Sequence, residues 1–166
     1  MLMDIITAED RECLVSYLER LETKHLKESK KLAEAASHGG SFPSFTPEYQ
    51  SLEFNIHTLG DEIQKTKKII NESEIINLDD LSESEAAPYQ VVSIENVNSG
   101  EISELYVIDP QIVKAKNIKT DLQTASPGSP IVKQLLGKRV GDLFVVILPQ
   151  GEQQYKLISL KKHLIK

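Results

Sequence analysis

Tryptophan is absent from this chain, cysteine occurs once, and aromatic residues make up only 5% of it. A single cysteine, Cys13, excludes an internal disulfide. With only four scattered histidines beside it, no CxxC or HExxH spacing arises, so neither a structural nor a catalytic metal is expected. No apolar run approaches the roughly 20 residues that span a bilayer. Met1 to Thr7 also lacks the basic start and long apolar stretch of a signal peptide. The expectation is a soluble, cytoplasmic protein with no membrane partner and no cofactor. Nucleophilic sets of the Ser/His/Asp or Cys/His kind do not stand out, and Gly39-Gly40 lacks the Lys and strand context of a phosphate loop. Chemistry carried by the chain's own side chains, as in an enzyme, is therefore not expected.

Another absence is local. Between Ile69 and Val113 there is no Lys or Arg, while ten acids occur: Glu72, Glu74, Asp79, Asp80, Glu83, Glu85, Glu95, Glu101, Glu104 and Asp109. The net charge of -6 is thus concentrated in the middle of the chain. Positive charge is ordered elsewhere. Arg20, Lys24, Lys27 and Lys31 follow one another by four, three and four, which places them on one stripe of a helix. Such a stripe is either an ordinary solvated flank, salted with Glu19, Glu22 and Glu28, or an electropositive track for a nucleic-acid backbone such as nascent RNA.

What the first half does contain is two apolar ladders. Leu14, Leu18, Leu21, His25, Glu28, Leu32 and Ala35 form one; Tyr49, Leu52, Ile56, Leu59, Ile63, Thr66 and Ile70 form the other. Steps of three and four are the seam of a coiled coil. Paired antiparallel, each couple of residue numbers sums to 84, which predicts one helical hairpin turning near Phe42. Thr7 with Asp10 marks the start of the first helix, and Thr46-Pro47-Glu48 that of the second. At the polar seam positions, His25 and Glu28, register setting is the ordinary role. The domain reading is a hairpin over residues 1–77 with its tip at 39–46, an acidic, Ser-rich linker at 78–88, and a C-terminal domain at 89–166. The last is β-rich: runs at Tyr89–Val97 and Glu101–Ile108 flank Asn98-Ser99-Gly100, runs at Leu143–Leu148 and Gln153–Leu160 flank another turn, and a short helix lies between. The fold class is α+β, with an α-helical coiled-coil hairpin leading.

Ser129-Pro130-Ile131-Val132-Lys133-Gln134-Leu135-Leu136-Gly137-Lys138-Arg139-Val140-Gly141-Asp142, followed by Pro149-Gln150-Gly151-Glu152-Gln153-Gln154-Tyr155, resembles the C-terminal signature of the bacterial transcript cleavage factors GreA and GreB. With the hairpin ahead of it, the resemblance covers nearly the whole chain. It implies an FKBP-like C-terminal domain docked at the rim of the RNA polymerase secondary channel. The coiled coil would then reach the active-site region as a monomeric arm. It also implies a rim contact at the Ser-Pro step, here Gly128, Ser129 and Pro130. Family members end the first helix with a motif like HGDLxENAEY, whose Asp and first Glu help hold a second magnesium; hard oxygen ligands are what that ion requires. Here His38-Gly39 and Glu48-Tyr49 match the ends of the motif. Gly40, Ser41, Phe42, Pro43, Ser44 and Phe45 stand between them with Thr46-Pro47, two residues longer and without an acid. In the tip formed by Gly40 to Phe45 with Glu48 and Tyr49, the expectation is a channel-occupying factor that does not stimulate cleavage; the alternatives are an active cleavage factor and a coiled-coil protein-binding module unrelated to polymerase. Phe42 and Phe45 either contact the polymerase in place of the acids or fold over the helix ends. Prolyl isomerase activity, known among FKBP folds, needs an aromatic-lined pocket that Tyr89, Tyr106, Phe144 and Tyr155 do not suggest.

Overall fold

The computed structural model describes residues 5–38 and 46–162, and for His38 the backbone alone. Two compact units emerge: Glu12–Asn71, and a second built from the N-terminal residues through Arg11 together with Glu72 onward. Helix α1 runs from Ala8 to His38 and α2 from Pro47 to Glu72. At ~1.5 Å per residue the longer helix measures roughly 46 Å. Their starts follow the local chemistry. The Asp10 N–H donates to Thr7 Oγ1 at 3.1 Å while the Thr7 N–H donates back to Asp10 Oδ2 at 3.3 Å, a reciprocal capping box that the Thr7 hydroxyl tightens by donating to Asp10 Oδ2 at 2.7 Å. At α2, the Tyr49 N–H donates to Thr46 Oγ1 at 3.2 Å, with Pro47 opening the first turn.

All fourteen ladder positions are buried or half-buried. Leu21, Leu59 and Ile63 form the seam's cluster, with Tyr17 and Leu18 packed on it. Flanking pairs fix the register: Tyr17 Oη donates to Glu62 Oε1 at 2.9 Å, and Lys67 Nζ lies 2.7 Å from Glu22 Oε1. These couples sum to 79 and 89, five to either side of 84, as antiparallel packing requires of positions bracketing a seam. Thr66, fully buried in it, donates its hydroxyl to the Glu62 carbonyl at 2.8 Å and so leaves no unsatisfied group.

In the other unit, β1 (Ile5–Ile6) pairs in parallel with β2 (Glu74–Ile75), and a five-stranded sheet has the order β5-β4-β3-β7-β6. Its strands are β3 (Gln90–Asn96), β4 (Ile102–Val107), β5 (Gln123–Ala125), β6 (Leu143–Leu148) and β7 (Gly151–Lys162). Short helices α3 (Pro110–Ala115) and α4 (Pro130–Leu135) complete it. The inner face buries Val92, Ile94, Leu105, Val107, Phe144, Val146 and Leu157 against Val132 and Leu135 of α4. Both hairpins expected from the turn residues form; Gly100 and Gly151 take the positive φ that their turns require. Residues 78–88 do more than connect. Ala86 and Ala87 are buried, the Ala86 N–H donates to the Lys138 carbonyl at 2.7 Å, and the Gly137 N–H donates to the Ala86 carbonyl at 2.8 Å. Three acids of the cation-free stretch find partners from the chain's last third: Glu85 with Arg139, Glu83 with Lys162, and Glu104 with Lys161. Among the described residues, no helix is long and apolar enough to cross a membrane.

Candidate functional site

Gly40, Ser41, Phe42, Pro43, Ser44 and Phe45 lie outside the described residues. Glu48 and Tyr49 sit in the first turn of α2, Glu48 exposed and Tyr49 half-buried at the outermost seam position described on that helix. Glu48 is the one acid of that first turn, where a carboxylate is favoured by the helix dipole. The sequence from Gly39 to Pro47 carries no Asp or Glu.

Arg20, Lys24, Lys27 and Lys31 are all exposed along one side of α1. They are not equivalent. Arg20 lies over the Tyr17 ring, 5.5 Å from its centroid, and Lys31 pairs with Glu28 at 2.9 Å. Lys24 and Lys27 line a shallow groove with Glu19, Arg20 and Thr23 and carry the stripe's outward charge. Tyr17 behaves as a fixed member of the seam's flank: burial and its hydrogen bond to Glu62 push its hydroxyl up to about 12.

Gly128, Ser129 and Pro130 form the entry to α4. The loop closes as a turn in which the Ser129 N–H donates to the Ser126 carbonyl at 2.9 Å. Ser126 organises it further. Its hydroxyl accepts from the Gly128 N–H at 3.2 Å and donates to Asp109 Oδ2 at 3.3 Å, while Asp109 Oδ1 caps α3 through the Gln111 N–H at 2.8 Å. Ser129 occupies the N-cap position of α4, but its hydroxyl makes no cap bond and is buried without a hydrogen-bond partner. Pro130, at the first helical position, is exposed. The Asp109–Ser126 brace was not foreseen from the sequence; Asp109-Pro110 as a helix start was the signal that could have disclosed it.

A charged cluster at the beginning of α1 also escaped the sequence reading. Asp10, 1% exposed, receives the Tyr89 hydroxyl at 2.6 Å on Oδ2 and Lys116 Nζ at 2.6 Å on Oδ1; Lys116 also reaches Glu9 at 3.1 Å. The Thr7 N–H is shared between Asp10 Oδ2 and Tyr89 Oη. Burial by itself would raise the Asp10 carboxyl, yet hydrogen bonds from Lys116, Tyr89 and Thr7 and the Lys116 charge outweigh it and hold the group below its ordinary value of 3.8. For Lys116, burial acts downward, and the bonds to Asp10 and Glu9 prevail, raising it. Tyr89 is pushed up by burial and by the adjacent carboxylate. Its backbone has φ 64, rare for a bulky residue, and is held there by its own N–H to the Val107 carbonyl at 2.7 Å and by the Asp10 bond. The cluster borders a concavity of about 730 Å³ that Ile75, Ile76 and Leu78 also line. It holds acids, a cation and a phenol in mutual hydrogen bonds, without a nucleophile beside a base; it is a clamp. Among the described residues, no group of three or more His, Cys, Asp or Glu side chains is placed to hold a metal.

A family model for the C-terminal region of the transcription elongation factor GreA/GreB matches residues 81–162. Over 158 residues the chain is 31% identical to transcription elongation factor GreA of Thermotoga maritima, an alignment covering 93% of this chain and 95% of that protein. The GreA of Streptococcus pneumoniae is 26% identical over 157 residues, covering 95% of this chain and 94% of that one. Among solved structures, the GreA factor homolog 1 (Gfh1) protein of Thermus thermophilus aligns with 96% of this chain and 99% of that chain, at 22% identity and a TM-score of 0.47.

Proposed function

This chain belongs to the GreA/GreB family of transcription elongation factors, and from that premise we propose that it binds RNA polymerase at the secondary channel and modulates elongation without stimulating transcript cleavage. The observation that carries the reading is the hairpin's turn. Two long helices converge on a segment, Gly39 to Pro47, that has no carboxylate. A second catalytic magnesium needs hard, anionic oxygens to hold it, and serine hydroxyls and backbone carbonyls are weak replacements. Glu48 remains, but a single carboxylate anchored in the first turn of α2 does not make a pair.

The remaining parts fit the same task. The Gly128-Ser129-Pro130 loop, braced by Asp109 through Ser126, offers an exposed proline suited to a docking contact on the polymerase rim. Lys24 and Lys27 give the arm outward positive charge that a nearby RNA or DNA backbone would attract. No step of covalent chemistry is assigned to the chain itself, and it acts as a modulator of another protein's active site.

The similarity to factors named GreA favours a second reading, an active cleavage factor that works through Glu48 and main-chain oxygens. Stalled elongation complexes separate the two. The native chain is expected to bind polymerase and leave the transcript 3′ end intact, while Gly40→Asp with Pro43→Glu is expected to gain cleavage. Robust cleavage by the native chain would overturn the silent tip. Failure of the native chain to bind polymerase would overturn the docking.

A further inference from the structure

The two edges of the five-stranded sheet are built differently. At one end, β5 is three residues long and polar, Gln123-Thr124-Ala125, the short edge by which proteins discourage pairing. At the other, β6 is the six-residue run Leu143-Phe144-Val145-Val146-Ile147-Leu148, with no Lys, Pro or bulge inside it. Its side chains alternate: Phe144 and Val146 enter the core, whereas Leu143, Val145 and Ile147 are 53%, 39% and 80% exposed. Their cross-strand neighbours on β7 are Lys156, Gln154 and Glu152. The three form an apolar stripe along the edge strand, bordered by that polar row.

The backbone of that strand repeats the alternation. The Leu157 N–H donates to the Asp142 carbonyl at 3.0 Å, and the two-residue hairpin pairs Leu148 with Gly151, so the even-numbered residues turn their N–H and C=O toward β7. Leu143, Val145 and Ile147 therefore direct theirs away from the sheet. One strand thus presents an apolar stripe and a row of open hydrogen-bonding groups on the same three residues.

We propose that this edge is a self-association surface, at which β6 of a second copy of this chain pairs antiparallel about a two-fold axis through Val145. An axis through Val145 sets that residue opposite its own copy and Leu143 opposite Ile147 of the second copy and the converse, so that all three outward-facing residues form hydrogen-bonded pairs, whereas an axis through Phe144 or Val146 would pair only two of them. Every open group of both strands then has a partner. Charge agrees with the antiparallel sense. Lys156 beside Leu143 comes level with Glu152 of the second copy three strand spacings away, roughly 14 Å between backbones, a gap their long side chains narrow by leaning over the apolar stripe, whereas a parallel arrangement would set lysine level with lysine. A strand-to-strand contact is smaller than the ~1,600 Å² of a standard interface, so the pairing is reversible and depends on concentration.

Sedimentation velocity of the full chain from about 1 μM to about 1 mM, the span in which small interfaces associate, tests this. The native chain is expected to pass from monomer to dimer. Val145→Lys, which opposes two like charges at the axis, is expected to raise the midpoint at least tenfold, as is Val145→Pro, which removes an N–H that β7 does not use. Circular dichroism checks that both stay folded. A covalent version reads the register. In a Cys13→Ser background, Val145→Cys is expected to oxidise to a symmetric dimer, because a hydrogen-bonded pair stands ~5.5 Å apart at Cα, within disulfide range. Leu143→Cys is expected not to, its copy lying four residues along the seam. A native chain monomeric throughout, a dimer indifferent to both Val145 substitutions, or equal cross-linking from the two cysteines would refute the proposal. So would a monomeric native chain in which Val145→Lys weakens polymerase binding, since the edge would then serve that partner.

Discussion

The two halves of the hairpin share one ladder but not one degree of burial. Toward its base, Leu14, Leu21, Ile63 and Thr66 are buried and Leu18 and Ile70 half-buried; from the His25–Leu59 pair outward, every seam position but Leu59 is only half-buried. A two-helix seam has no third element to cover it, so burial falls off wherever nothing broad, such as Tyr17 lying over Leu21 and Ile63, shields the flank. The seam's polar members on α1, His25 and Glu28, lie in the outer half. The division of labour is physical. The inner half holds the arm together, and the outer half extends it with little stability of its own.

Substitutions can break that contrast. Ile63→Ala, in the inner seam, is expected to cost about 3 kcal/mol, read as a lower midpoint in urea unfolding. Asp10→Asn, at the clamp where α1 begins, is expected to cost about 2 kcal/mol, because Lys116 and Tyr89 lose their shared carboxylate. Its pH dependence has a definite sign. The folded Asp10 carboxyl lies below the ordinary value of 3.8, so the unfolded chain takes up the proton first. The clamp's contribution is whole above pH ~4 and drains as pH falls through the folded value. The native chain should lose stability more steeply in acid than Asp10→Asn, as thermal melts across that window would record. Leu52→Ala, in the outer seam, is expected to cost about 1 kcal/mol or less, the half-exposed site giving up little burial. An outer substitution as costly as Ile63→Ala would erase the contrast. Lys24→Gln with Lys27→Gln should leave stability within about 0.5 kcal/mol while flattening the salt dependence of binding to elongation complexes.

The arm was legible because its information is local and periodic: the ladder numbers, the Thr7–Asp10 box and the Thr46-Pro47 start each lie within a few turns of what they determine. Strand β6 was read to its ends for the same reason, since Asp142 and Pro149 bracket it. The clamp was not legible. Tyr89 and Lys116 lie 79 and 106 residues from Asp10, and no periodicity joins them. Residues 78–88 likewise read as a plain connection, because acids and serines dominate the segment while its two small core members, Ala86 and Ala87, give no pattern. The exposure of Leu143, Val145 and Ile147 was hidden too. A continuous apolar run reads as buried on both faces, and only the strand's place at the sheet edge reveals otherwise.

The claim that the arm reaches a catalytic centre without bringing metal ligands is tested most directly by transcript cleavage in stalled elongation complexes, comparing the native chain with Gly40→Asp, Pro43→Glu at saturating factor. The account predicts binding by both and cleavage only by the substituted arm. Cleavage by the native chain at the rate of the substituted one would contradict it.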